Sequence, residues 1–261
     1  PLVIGPLLLA AARLVGARVI FNVQDLHPDA LVEVGLLTAR LPIAVLRAIE
    51  RCCYRAADAL VVISRGFSDH CVDLGAGPAR VTVIPNWIDE GSVAPLASPS
   101  ALRREAGLAD DAFVALYAGT IGHVSGADVV VRAAARLRQH PSIRFLFVGD
   151  GPLAPRLRDR VRELGLDNVR FLPFQPRSRL AEVQSAGDVS LVTMLPGKGR
   201  TSVPSEVLGY MAAARPVLAS VEAHCETADL LRLAGCGIVV PPDDEAAAGA
   251  DAIVSCHTER F

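Results

Sequence analysis

Aromatic residues are scarce in this chain of 261 residues: they make up 5%, with one Trp, three Tyr and eight Phe. Hydrophobic residues still reach 51%. A core is therefore expected, and it should be aliphatic, built from Leu, Val, Ile and Ala. An excess of charge of either sign is lacking too. Lys and Arg number 26 against 28 Asp and Glu, a net charge of −2, which excludes the basic face that a phosphate-backbone binder needs and so gives no case for nucleic acid. Long hydrophobic runs are missing. The longest near the start, Pro1 to Ala12, is closed by Arg13, is too short to span a bilayer and has no basic region before it, as a secretory signal would. The first residue is Pro rather than Met, so the chain is expected to begin inside a larger protein. The six cysteines, Cys52, Cys53, Cys71, Cys225, Cys236 and Cys256, show no C-x-x-C spacing. Neither a zinc ribbon nor a thioredoxin motif is signalled, and buried reduced thiols of a cytoplasmic protein are expected.

Several chemical signatures are absent as well. There is no D-x-D triplet, so a carboxylate clamp for a metal-bound diphosphate is missing. There is no G-x-x-x-x-G-K-[ST] and no G-x-S-x-G, which removes the P-loop and the nucleophile elbow. The six His are scattered without zinc-type spacing.

What is present is an alternation of short apolar runs and helical patterns. Strands are predicted at 17–23, 59–63, 80–84, 113–118, 143–148, 169–172, 189–192, 216–219 and 237–240. Helices are predicted at 43–57, after an N-cap at Ser64, and at 124–139, 153–164, 179–186, 204–214 and 224–234, with Pro204 in a first turn. On the first of these, Arg47, Glu50, Arg51 and Arg55 are expected on the wet side. Continuously apolar strands separated by helices of roughly 10–15 residues indicate βαβ units and parallel sheets covered on both faces. The stretch after Pro85-Asn86-Trp87-Ile88-Asp89, rich in Gly, Ser and Pro up to Pro99, is the candidate linker. Two doubly wound α/β domains follow, 1–92 and 93–261.

Ligands of such sheets bind at the carboxyl ends of the strands. Four loops there carry candidate chemistry. Gly119-Thr120-Ile121-Gly122-His123 would bring backbone N–H groups and a helix N-terminus to a diphosphate, or simply make a tight turn. Gly149-Asp150-Gly151-Pro152-Leu153-Ala154 matches G-x-G-x-x-[GA], but the next strand ends Leu172-Pro173-Phe174 without the acid that a dinucleotide fold places there. Gly149 and Gly151 therefore read as a turn lining the cleft. Leu195 to Ser202 offers Lys198 and Arg200 among glycines, just before Ser205 and Glu206, as an anion trap. Glu226 opens a further helix, where the dipole favours a carboxylate with or without a ligand.

These residues resemble a known family. Tyr117-Ala118-Gly119-Thr120-Ile121-Gly122, Phe147-Val148-Gly149-Asp150-Gly151-Pro152, Asn168-Val169-Arg170-Phe171, Ala186-Gly187-Asp188-Val189, Ser202-Val203-Pro204-Ser205 and Arg215-Pro216-Val217-Leu218-Ala219-Ser220 are similar in order and spacing to glycosyltransferase family 4. The nearest likeness is to its branch that builds colanic-acid, O-antigen and capsule polysaccharides. Ile63-Ser64 and Val83 to Asp89 resemble the end of that family's first domain and its hinge. The resemblance implies an α/β GT-B fold of two Rossmann-like domains, with the donor bound mainly by the second. It implies a retaining transfer from a UDP- or GDP-linked sugar to a lipid-linked (polyprenyl) or saccharide acceptor, without metal or cofactor, in the cytoplasm at the inner membrane face. By the same resemblance, the Gly119–Gly122 loop and His123 would lie at the diphosphate and Phe174 near the base. Ser205 and Glu206 would face the ribose or phosphate. Lys198, Arg200 and Glu226 would be catalytic, the two cations neutralising the departing nucleoside diphosphate.

The chain also departs from the family pattern. Thr201 and Gly209 stand where many members carry paired glutamates, Glu206 stands where the polysaccharide branch often has Lys, and Ala214 replaces a usual Gly. The first units of the acceptor domain are expected to be missing before Pro1, and Ser255 to Phe261 does not resemble the usual final helices. Two readings stay open beside an active transferase. One is a nucleotide-binding remnant without turnover; the other, an epimerase or dehydrogenase, is disfavoured by the missing acid and the lack of a Tyr-x-x-x-Lys dyad. Arg40, Arg47, Arg51 and Arg55 could meet anionic lipid, against an ordinary solvated face.

Overall fold

The computed structural model describes residues 2–33, 35–89, 91–96, 101–199, 202–242 and 245–259. The chain divides into two compact units. One is Pro1–Asn86 with Arg200–Val203; the other is Trp87–Gly199 with Pro204–Phe261.

In the first unit the elements run α1 (Gly5–Leu14), β1 (Ile20–Val23), α2 (Asp29–Glu33), α3 (Arg40–Ala56), β2 (Ala59–Val62), α4 (Arg65–Asp73) and β3 (Val81–Val83). The strands form a parallel sheet in the order β1-β2-β3, with Ile20 opposite Ala59 and Leu60 opposite Val81. Its core gathers Leu9, Val23, Leu60, Val62, Phe67 and Cys71 around Tyr54. Ser64 caps α4 as expected: its hydroxyl accepts from the Phe67 N–H at 3.3 Å. Glu50 corrects the sequence reading of α3. It is not on the wet side but buried, 1% exposed. Its turn of the helix faces α4, where the carboxylate meets His70 Nε2 at 3.1 Å and the Tyr54 hydroxyl. That partnership compensates the desolvation of a buried carboxylate.

In the second unit the order is α5 (Ala101–Glu105), β4 (Phe113–Ala118), α6 (Asp128–Arg136), β5 (Ile143–Val148), α7 (Ala154–Glu163), β6 (Val169–Leu172), α8 (Leu180–Gln184), β7 (Val189–Thr193), α9 (Glu206–Ala212), β8 (Val217–Ser220), α10 (Glu226–Ala234), β9 (Gly237–Val240) and α11 (Glu245–Glu259). The sheet order is β6-β5-β4-β7-β8-β9, all parallel. The order reverses between β4 and β7, which is the topological switch point where doubly wound sheets hold ligands. Period-2 alternation sends Phe113, Ala115 and Tyr117 into one core and Val114, Leu116 and Ala118 into the other, so the strand is apolar throughout because it is covered on both faces.

The few aromatics contradict the expectation of a purely aliphatic core. Phe113, Tyr117, Phe145, Phe147 and Tyr210 are all buried, and Phe147 stacks on Phe171 at 4.8 Å between centroids. Scarcity restricts their number, not their place. None of the six cysteines is in a disulfide; Cys52 is exposed and Cys236 half-buried, the other four buried.

Several boundaries move. The helix expected from Val124 starts at Asp128, because Gly126 is left-handed (φ +60°) and lies against the Met194 backbone. The helix expected from Pro204 starts at Glu206, so Pro204 precedes the first turn. The one expected from His224 starts at Glu226, because Cys225 is extended. The helix expected at 179–186 is a 3-10 turn, Arg177–Arg179, followed by the short α8. No helix is predicted at the end of the chain, yet α11 runs there as far as Glu259 and packs on α6 through Ile253 and Cys256 in the shared core. Its weak amphipathic pattern hid it. Among the described residues no helix is long and apolar enough to cross a membrane.

Candidate functional site

The site is built at the carboxyl ends of β4, β5 and β6. The Tyr210 hydroxyl, fully buried in α9, donates to the Ala118 carbonyl at 3.1 Å and accepts the Ala118 N–H at 2.8 Å. It pins the last residue of β4 next to Gly119; burial raises its pKa far above the ordinary phenol value. Tyr117, pushed up to about 12 by burial, donates to the Thr120 carbonyl at 3.0 Å. Both phenols therefore stay protonated as scaffold donors.

Backbone pairing continues past the strands and joins the first two glycine loops. The Gly119 N–H donates to the Val148 carbonyl at 3.0 Å, Ile121 N–H to the Asp150 carbonyl at 2.9 Å, and Leu153 N–H to the Ile121 carbonyl at 3.1 Å. A Cβ on Gly149 would lie 2.0 Å from the Gly119 carbonyl oxygen, and one on Gly151 would lie 2.5 Å from that of Ile121. These glycines are needed so that one loop can lie on the other, a use that the G-x-G match alone could not show. A Cβ on Gly119 would meet Glu206 Oε1 at 2.5 Å, so the Glu206 carboxylate lies directly over Gly119.

A pocket of about 310 Å³ opens here, within the usual size range of small-molecule sites. Its lining includes Ala118, Gly119, Val148, Phe174, Gln175, Arg177, Gln184, Ser205, Glu206 and Gly209. Four of the sequence-derived site residues thus converge: Gly119, Phe174, Ser205 and Glu206. Phe174 offers an exposed ring (56%). Its segment is clamped by Arg179, which donates to Gln175 Oε1 at 2.9 Å and to Glu105 Oε1 at 2.7 Å. The Arg179 bonds hold the Glu105 carboxyl below its ordinary pKa.

The other candidates sit elsewhere. Gly122 is half-buried and His123 exposed on the β4–α6 loop, and Gly151 is half-buried on the β5–α7 loop; none lines the pocket. Lys198 is half-buried on the β7–α9 loop and Glu226 half-buried at the start of α10. Those two loops are joined by Glu222, which sequence reasoning missed. Its carboxylate accepts from the Gly197 N–H and, at 3.0 Å, from the Gly199 N–H. The loop's own amides are thus satisfied by an internal anion. Nothing in the chain order signals this bond, because Glu222 reaches it across 25 residues. Arg200 and Thr201 lie outside the described residues. Among the described residues no group of three or more His, Cys, Asp or Glu is arranged to hold a metal ion.

Residues 112–259 match the profile of the family described as Glycosyl transferases group 1, and residues 2–87 that of a Glycosyl transferase 4-like domain. The chain belongs to the group 1 glycosyl transferases. Among curated members, WcaI of Escherichia coli (strain K12), whose name assigns it to colanic acid biosynthesis, is 30% identical over 238 residues, covering 89% of this chain and 58% of its own length. WbjE of Pseudomonas aeruginosa, also named as a glycosyltransferase, is 28% identical over 233 residues, with the same coverage of 89% and 58%. The group 1 chain described here therefore spans little more than half the length of these relatives. Its fold is GT-B. Anabaena HepE, solved in complex with UDP and glucose, superposes with a TM-score of 0.77 at 20% identity, covering 99% of this chain and 66% of that one.

Proposed function

We propose that this chain is the donor-handling part of a retaining glycosyltransferase that moves a sugar from a UDP- or GDP-linked donor, without metal or other cofactor, to a lipid-linked or saccharide acceptor in cell-surface polysaccharide synthesis. The observation that carries this reading is the pocket at the carboxyl ends of β4–β6, where Gly119, Phe174, Ser205 and Glu206 meet. Its parts suit a nucleoside diphosphate. Phe174 gives a face on which a base can stack. The α9 N-terminus gives amides and a positive dipole end for phosphate. Support for the donor class comes from HepE, whose complexes contain UDP and UDP-glucose. Support for the process comes from the name of WcaI.

In this reading Lys198 and Arg200 neutralise the charge that grows on the leaving diphosphate. Preorganised cations there lower the barrier more than they stabilise bound donor. Glu222, by holding the Gly197–Gly199 backbone, fixes the segment from which Lys198 projects. Glu226 lies near the donor sugar. We assign the work to the cytoplasmic membrane face, where Arg40, Arg47, Arg51 and Arg55 stay exposed on α3 beside Leu41 and Val45. A second reading, a nucleotide-binding remnant without turnover, is favoured by one observation: the amides of the expected phosphate trap already hold Glu222.

The test is calorimetric titration of the 261-residue chain with UDP, GDP, ADP and NAD in the presence of EDTA. Selective binding of UDP or GDP is expected. Binding of NAD alone would replace this reading with a dehydrogenase or epimerase. Sugar release from the matching nucleotide-sugar then separates turnover from the remnant reading.

A further inference from the structure

Gln184 is the last residue of α8 and is 6% exposed, yet it lines the nucleotide pocket. Among the described residues its Oε1 has no hydrogen-bond partner. A buried amide oxygen left unpaired costs stability, so such a group calls for a reason. Its surroundings have been kept clear for it. A Cβ on Gly209, which also lines the pocket, would lie 2.8 Å from Gln184 Nε2 and 2.9 Å from its Cδ; only glycine leaves the carboxamide its place. One turn earlier on α9, Glu206 brings a carboxylate to the same pocket. A glutamine carboxamide turns about a broad, roughly two-fold terminal torsion, so its oxygen can be presented to a ligand without moving the helix.

We propose that Gln184 is a specificity-determining residue of the pocket: its carboxamide oxygen accepts a hydrogen bond from a donor group of the bound nucleoside. The inference rests on the nucleotide reading of this pocket and deepens it. Two acceptors, the Gln184 amide and the Glu206 carboxylate, face a ligand that must supply donors. A nucleoside has two kinds, the ribose hydroxyls and the N–H of its base, whereas a diphosphate has neither. A site that holds a buried polar group for a ligand hydroxyl or N–H rejects the analogue that lacks it, because the protein group is then left unpaired.

The experiment titrates the whole chain with UDP, 2′-deoxy-UDP, 3′-deoxy-UDP and CDP, and with GDP, 2′-deoxy-GDP, 3′-deoxy-GDP and ADP, for the wild type and for Gln184→Met. The wild type should prefer the parent nucleotide roughly tenfold over one analogue, the size of one neutral hydrogen bond at the upper end. A preference over a deoxy analogue assigns the contact to ribose, and one over CDP or ADP assigns it to the base. Gln184→Met, of similar length but without the amide, should lose that preference and keep diphosphate affinity. A wild type that does not discriminate, or a variant with the wild-type ranking, overturns the proposal. If the variant does not fold, a wild type that does not discriminate still overturns the proposal. Failure of every nucleotide to bind folded wild type would instead sink the nucleotide reading itself, and this inference with it.

Discussion

The two sheets of this chain are built from similar apolar runs and end up in different surroundings. β4 of the second unit is buried at every residue from Phe113 to Ala118. β1 of the first unit leaves Ile20 69% exposed and buries only Val23. Around it α1 shows Leu7 at 72%, Leu8 at 60% and Leu14 at 88% exposure. An apolar run therefore announces a strand or helix in both units, but only the second surrounds its sheet with enough helices to remove that surface from water. Open strand edges and apolar patches of the first kind favour local opening and association. The pocket is built in the unit that is closed on both faces, where loop backbones are held to one another by hydrogen bonds.

Ion pairs give the largest expected contrast. Arg103, 5% exposed, reaches Asp188 at 2.9 Å, the Ala186 carbonyl at 2.7 Å and the Ala112 carbonyl at 3.4 Å. Asp188 in turn accepts the Val114 N–H at 2.7 Å. Arg103→Ala should cost the second unit about 3–5 kcal/mol, the effect of stranding a partly buried charge. Arg47→Ala, which breaks an exposed pair with Asp29 at 2.9 Å in the first unit, should cost at most about 1 kcal/mol. Hydrogen exchange of β1–β3 and of β4–β9 reads the two effects separately, and comparable losses would erase the contrast.

A smaller effect, of opposite sign, is expected at Ala214. It is the one non-glycine residue with positive φ among the described residues, at 51°. It follows α9, where the chain turns into β8. Left-handed backbone costs an L-residue about 1 kcal/mol, so Ala214→Gly should stabilise the second unit by about that much in urea unfolding. A destabilised variant would show that unfolded-state entropy outweighs the relieved strain.

The gentlest probe is pH. Hydrogen bonding to Glu50 raises the His70 pKa above its ordinary value, with smaller contributions from the Glu50, Asp29 and Asp73 charges, against burial, which lowers it. Protonated His70 then stabilises the first unit. That contribution is complete below the ordinary His value of about 6.5 and is lost as pH rises through the raised folded value. Protection of β1–β3, corrected for intrinsic exchange, should fall as pH rises above about 6.5 in the wild type and not in His70→Gln. Equal behaviour of the two would remove His70 as the cause.

How much was legible follows the same division. Four strands of the second unit, 113–118, 143–148, 169–172 and 237–240, have the bounds read from their apolar runs, and β9 does so although it leaves Gly237 and Ile238 exposed. α1 was seen only as an apolar run, because it is apolar on its exposed side as well and lacks a side-chain cap. α2 and α5 are five residues each, too short for a periodic signal. In the site, Gly119, Phe174, Ser205 and Glu206 could be found because parallel sheets bind ligands at their carboxyl ends. Gln184 and Glu222 could not. Each acts through contacts far along the chain, and each looks in sequence like an ordinary polar residue of a helix or loop.

Two of the second unit's pockets lie at opposite ends of its sheet. The pocket at the amino ends, about 390 Å³, is lined by Arg103, Asp188 and Arg215; the other, at the carboxyl ends, holds Gly119, Phe174, Gln184 and Glu206. A crystal structure of the chain soaked with UDP or GDP, whichever titration selects, decides between them. The account predicts nucleotide density against Gly119, Phe174 and Glu206. Density among Arg103, Asp188 and Arg215 would contradict it.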